Sequence, residues 1–189
     1  MEDLTEKISE WARAVQKKEA IVWDRLPDID LYMDQVLTYM DKQLELFQCG
    51  EENKLLTSNM INNYVKDGII PRPKKKKYSR EHLAIMLNVF MLKQVLSMQN
   101  IASLIKNLPE SEELFDMFTI SQDKALKEVC DRVLKVQATP EGMRQLTLEL
   151  SIEANARRVA SESILAMLAE QEKQAQKNEK NEKQKKVTE

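Results

Sequence analysis

An all-α fold is what this sequence predicts, and three observations predict it. The first is punctuation: 189 residues contain only three glycines and five prolines, few for a protein of strands and turns. The second is that these eight residues cut the chain into uninterrupted segments, most with apolar side chains recurring every three or four positions. The third is composition: 42% hydrophobic and 32% charged residues suit amphipathic helices around a buried core. The length allows one domain or two small ones.

Each element can be placed in turn. Leu4, Ile8, Trp11, Ala12 and Val15 predict a first helix ending before Pro27. A second is expected from Leu31, with Val36, Met40, Leu44 and Phe47 on one face, up to Gly50. Thr57 is placed to start a short helix that turns Met60, Ile61 and Tyr64 inward and stops at Gly68. Ser79 is a good N-cap for a helix carrying Leu83, Leu87, Phe90, Met91 and Val95. Ser97 opens another, with Ile101, Leu104, Ile105 and Leu108. Beyond Pro109 the pattern predicts a short helix over Leu114, Phe115 and Phe118, then a longer one from Ser121 to Val136. Thr139-Pro140-Glu141 reads as N-cap, Pro at the first helical position and an early acid. That last helix continues through Met143, Leu146, Leu150, Ala154, Ile164 and Leu168. From Gln171 onward almost no apolar side chain remains, so the expectation is a frayed extension or a disordered tail.

Several function classes lose support at this stage. No apolar run approaches the roughly 20 residues that span a bilayer. The start, Met1-Glu2-Asp3, has no hydrophobic signal core, so a cytoplasmic protein without membrane attachment is expected. Cys49 and Cys130 lie far apart and suit two unpaired thiols in a reducing compartment. The single histidine, His82, reads as an ordinary surface or helix-start residue. With no Cys-x-x-Cys, His-x-x-x-His or Gly-rich phosphate loop, no metal site, cofactor site or catalytic constellation is expected.

Charge distribution supplies the functional signal. Residues 1–53 hold 6 Lys/Arg against 13 Asp/Glu, residues 54–106 hold 10 against 2, and residues 107–189 hold 13 against 16. A middle third at +8 between flanks at −7 and −3 points to a polyanionic partner for that third. Its densest part, Arg72 to Arg80, has six cations and no acid. A four-lysine run can also be a solvated loop, a nuclear-import signal or a polybasic membrane patch. Helix signals close on both sides argue for a structured loop instead.

Upstream of the run, the short helix carries Ser58, Asn59, Asn62, Asn63 and Lys66 on its exposed or N-terminal surface, with no acid before Asp67. Asn pairs with adenine in a bidentate manner, and Ser donates to or accepts from either base type. Cations fix the register of a protein on the phosphate backbone. The segment with Arg72, Lys74, Lys75, Lys76 and Lys77 suits a β-ribbon wing beside such a helix. Tyr78 can stack on a sugar or pack beneath the wing, and Arg80 adds a further phosphate contact.

The run Leu56-Thr57-x-x-Met60-Ile61-Asn62-Asn63-Tyr64-x-x-x-Gly68-Ile69-Ile70-Pro71 resembles the recognition helix of MerR-type winged helix-turn-helix regulators. Lys76-Lys77-Tyr78-Ser79-x-x-x-Leu83 is similar to the wing end of that family, and Leu96 to Ile105 to its next helix. Met60, Asn62 and Lys76 depart from the family pattern, which has Thr, Arg and Arg there. A wider resemblance begins at Pro27-Asp28-Ile29-Asp30-Leu31-Tyr32-Met33-Asp34-Gln35-Val36, includes the same helix and wing end, and points to a YkrK-like family from low-GC Gram-positive bacteria. That family carries a domain of unknown function. The likeness implies a bacterial cytosolic setting and makes the helix near Asp34 to Phe47 the first of the helix-turn-helix.

Residues and resemblance together predict an all-α helical bundle containing one winged helix-turn-helix. The expected divisions are an N-terminal helix (1–26), a DNA-binding unit (27–108), a helical C-terminal region (109–170) and a polar tail (171–189). The expected partner is double-stranded DNA, bound by a homodimer through the stripe from Met143 to Leu168. The competing expectation is a helical interaction module whose basic loop docks on an acidic protein. Effector and operator are not legible.

Overall fold

The computed structural model of the protein describes residues 4–45, 56–106, 112–136 and 139–187. Seven α-helices dominate the described residues, and the one sheet has two strands. The all-α class follows from the sequence pattern: scarce helix breakers and long stretches of three-to-four-residue apolar spacing.

The first helix, α1 (Leu4–Lys17), turns Ala12 and Val15 inward. A single 3-10 turn at Trp23–Arg25 follows, and the Trp23 N–H donates to the Asp116 carboxylate at 2.6 Å. Next, β1 (Leu31–Tyr32) leads directly into α2 (Met33–Gln43). The expected second helix is therefore shorter at its start, because Leu31 and Tyr32 are extended and paired with another strand. Its expected end, with Phe47 and Gly50, lies outside the described residues.

Thr57 caps α3 (Ser58–Lys66), its hydroxyl accepting from the Met60 N–H at 3.3 Å. Gly68 reverses the chain at φ +72°, a backbone conformation that residues with a Cβ adopt only with strain. Ile69 and Ile70 then dive into the core, their N–H groups both donating to the Tyr64 carbonyl. The chain continues through β2 (Lys77–Tyr78) to α4 (Arg80–Leu92). Leu83, Leu87 and Phe90 are buried there as expected, whereas Val95 lies past the helix end and is 46% exposed. The tightened turns from Lys93 to Leu96 swing Val95 off the buried face.

Ser97 caps α5 (Met98–Lys106), its hydroxyl accepting from the Asn100 N–H. The two helices expected beyond Pro109 are one continuous helix, α6 (Glu112–Lys135). No Gly or Pro interrupts it, and the Thr119 hydroxyl satisfies itself on the Phe115 carbonyl at 3.1 Å rather than starting a new helix. The last helix, α7 (Pro140–Val187), opens on Thr139 as N-cap and runs for 48 residues, about 72 Å at 1.5 Å per residue.

Two apolar clusters hold these elements. The larger joins Val36, Met40, Ile61, Leu87, Phe90 and Ile101, each 1% exposed or less, to Tyr78 and Phe115. Burying one such side chain contributes about 1.5–3 kcal/mol. The smaller joins Ala12 and Val15 of α1 to Cys130 and Val133 of α6 and Leu146 of α7. Arg132 reinforces the α6–α7 contact, bridging Glu153 at 2.8 Å and Glu149 at 3.3 Å.

The stripe expected for dimerisation is thus partly consumed by the monomer: Leu146 is 7% exposed and Leu150 packs beside it. Ile164 and Leu168 remain exposed, as do Leu148, Ile152, Val159 and Met167.

Candidate functional site

Helical spacing puts Asn59, Asn62, Asn63 and Lys66 at positions i, i+3, i+4 and i+7 of α3, so they form one stripe. All four are exposed, while Ile61 and Tyr64 fix the opposite side in the larger core. Ser58 sits half-buried in the first turn. The stripe contains amides and one ammonium and no carboxylate, since Asp67 follows the last helical residue. It can present donors and acceptors to a planar polar partner without repelling an anion.

Four lysines build the hairpin downstream. The Lys77 N–H donates to the Lys74 carbonyl at 2.9 Å, closing a four-residue turn with Lys75 and Lys76 at its centre. Both central residues have positive φ, 51° and 63°, the backbone signature of the tight turns that join two strands. Lys77 is then paired on both sides, to Lys74 across the turn and to Tyr32 of β1. Its ammonium lies 5.0 Å from the centre of the Tyr32 ring, a cation–π contact that holds it half-buried against β1.

Arg72, Lys74, Lys75 and Lys76 are exposed. Tyr78 is only 4% exposed, its ring edge-on to His82 with centres 5.6 Å apart. Of the two roles expected for Tyr78, packing beneath the hairpin is the one its burial permits; burial also pushes its phenol above the ordinary value. Arg80 is half-exposed, with its guanidinium 5.8 Å from the Trp23 ring centre.

The base of the hairpin is tied to the start of α4. The Ser79 N–H donates to His82 Nδ1 at 3.1 Å, so His82 works as a helix-start residue. The Ser79 hydroxyl also donates to the Glu81 carboxylate, and that bond is the main reason the Glu81 pKa lies below the ordinary value.

Two contributors were not legible in the sequence: Tyr32, which stacks on Lys77, and Trp23, which lies under Arg80. Both stand 45 or more residues from their partners, and only the β1–β2 pairing and the core bring them together. Among the described residues, no group of three or more His, Cys, Asp or Glu could hold a metal ion, and no helix is long and apolar enough to cross a membrane.

Fold and site together define a mainly helical protein that displays a polar helix face followed by a cationic hairpin. Residues 21–127 match the family model described as Domain of unknown function (DUF1836), and the chain belongs to that family. No curated protein and no solved structure matches the chain.

Proposed function

We propose that this protein binds double-stranded DNA with sequence preference, as a MerR-like winged helix-turn-helix regulator of the bacterial cytoplasm. In this reading α3 enters the major groove and the Lys74–Lys77 hairpin is the wing. Asn59, Asn62, Asn63 and Ser58 read base edges, and Lys66, Arg72, Lys74, Lys75, Lys76, Lys77 and Arg80 hold phosphates. Support comes from the packing of α2 and α3 into one core and from the antiparallel tie of β1 to β2 beneath the hairpin. The reading rests on two surfaces, the polar stripe of α3 and the cationic hairpin.

The observation that carries the reading is the hairpin itself. Lys75 and Lys76 occupy positive-φ positions where Asn-Gly would be cheaper, and retain a cation at each. Strain of this kind collects at functional sites. Lys74, Lys75 and Lys76 project from a short, closed turn, while Lys77 anchors its base against Tyr32.

Fluorescence anisotropy of labelled random duplex DNA across a salt series tests this. Binding should weaken steeply with salt, and Lys→Gln at positions 74 to 77 should flatten the log–log slope by roughly 3 units per protomer. Absence of binding at low salt would reject the reading and favour a module that docks on an acidic protein. Homodimerisation completes the proposal, since two recognition helices one DNA turn apart give an operator-length site. The exposed apolar residues of α7 offer the surface for it.

A further inference from the structure

We infer, resting on the DNA reading above, that Trp23 and Tyr32 are positioning residues that fix Arg80 and Lys77 as a preformed pair of phosphate contacts. The exposed lysines of the hairpin tip then supply attraction at a distance, and the two seated cations set where the backbone lies. Both rings come from the stretch between α1 and α2. The cations come from β2 and from the first residue of α4.

Strand register explains the first seat. Tyr32 stands directly opposite Lys77, and Leu31 opposite Tyr78. Side chains opposite each other share a face of a sheet, and the next pair takes the other face. Leu31 and Tyr78 take the inner face, 7% and 4% exposed, so Tyr32 and Lys77 point outward together. Tyr32 stays 50% exposed, and the Lys77 ammonium lies 5.0 Å from its ring centre. A ring attracts the cation without using up its N–H donors as a carboxylate does, so they stay open to an anion.

The second seat is held from α6. The Trp23 backbone N–H donates to the Asp116 carboxylate, and its indole lies edge-on to buried Phe115 with centres 6.1 Å apart. Arg80 therefore rests on a ring with a fixed place, its guanidinium 5.8 Å from the centre. Carboxylates are close at hand: Asp24, Asp28 and Asp30 are exposed along the same stretch, Asp34 at the start of α2, and Glu81 follows Arg80. Among the described residues none of these acids ion-pairs with Lys77 or Arg80. Glu81 accepts from the Ser79 hydroxyl instead. A cation free to swing is drawn to such neighbours, whereas one seated on a ring stays available to a phosphate.

Anisotropy of labelled random duplex DNA at low salt, with the full chain, tests this through two double-mutant cycles. Tyr32→Leu should weaken binding about two- to fivefold, the scale of an exposed cation–π contact. Tyr32→Phe keeps the ring and should bind like wild type. In a Lys77→Gln background Tyr32→Leu should have no further effect, and Trp23→Leu should behave the same way toward Arg80→Gln. Because Trp23 also packs on Phe115, its fluorescence in a Trp11→Phe protein gives a second reading. Saturating duplex DNA should change that emission, and Arg80→Gln should abolish the change. Wild-type affinity in Tyr32→Leu, an undiminished loss in the Lys77→Gln background, or Trp23 emission that bound DNA leaves unaltered overturns the inference while DNA binding itself stands. A wild-type chain that binds no duplex DNA at low salt overturns both.

Discussion

Lys75 and Lys76 sit side by side at φ 51° and 63°, held there by the bond between the Lys77 N–H and the Lys74 carbonyl. A left-handed backbone costs a residue with a Cβ roughly 1–2 kcal/mol, and Asn or Gly much less. The pair therefore couples local strain to local charge, and the two can be separated by mutation.

Lys75→Asn/Lys76→Gly should raise stability by about 1–2 kcal/mol, because it relieves the left-handed positions. The same change should weaken binding to random duplex DNA and flatten its salt dependence by about 2 units per protomer. Thermal denaturation and anisotropy on one preparation read both effects. A variant that is more stable yet binds DNA unchanged would remove the hairpin tip from the interface.

Asn62→Ala and Asn59→Ala act on the exposed stripe of α3, far from the core. Each should lower affinity for a site selected from random sequences by about 1–3 kcal/mol, and lower affinity for random DNA much less. Equal losses on the two DNAs would mean that these amides touch only the backbone.

The cap at Ser79 gives a stability test with a sign in pH. His82→Ala leaves the Ser79 N–H without its acceptor and should cost about 0.5–2 kcal/mol. His82→Gln should cost less, because Gln at the third helical position reaches back to the same N–H. Glu81 has a folded pKa below its unfolded one, chiefly through the Ser79 hydroxyl. Its contribution is therefore complete above the ordinary carboxylate range and is lost as pH falls through the lowered folded value. Glu81→Gln should shrink the acid-induced loss of stability relative to wild type, as read by chemical denaturation between neutral and acid pH.

Assembly is checked on α7. Leu148, Ile152 and Val159 are 62%, 61% and 48% exposed, and their positions put them on the side of α7 away from Leu146 and Leu150. Ile152→Glu/Val159→Glu should convert a dimer to a monomer without unfolding it, as seen by light scattering and circular dichroism at micromolar concentration. A wild-type protein that is monomeric with and without DNA would assign α7 to the single chain alone.

Much of the architecture was legible because the chain signals it locally. Thr57, Ser79, Ser97 and Thr139 begin their helices as their side chains dictate, and Gly68 ends α3 because glycine takes the positive φ there without strain. The polar stripe of α3 was equally legible, since 3.6-residue periodicity sorts Asn59, Asn62, Asn63 and Lys66 from Ile61 and Tyr64. The junction inside α6 was misjudged because Phe118 to Ser121 looks like a boundary in composition. A side-chain bond back to the preceding turn costs Thr119 no helical geometry.

Charge, periodicity and capping are properties of short stretches, and the sequence by itself determined them: the helical class, the basic middle third and the face that α3 exposes. Long-range pairing is a different matter. That Leu31 forms a strand opposite Tyr78, that Tyr32 carries Lys77, and that Leu146 serves the core rather than a partner were decided only by tertiary structure. The physical reason is that a two-residue strand has no periodicity to detect, and an apolar helix stripe looks the same whichever surface covers it. Both acquire their meaning from residues tens to more than a hundred positions away, which only the packed chain brings within contact distance.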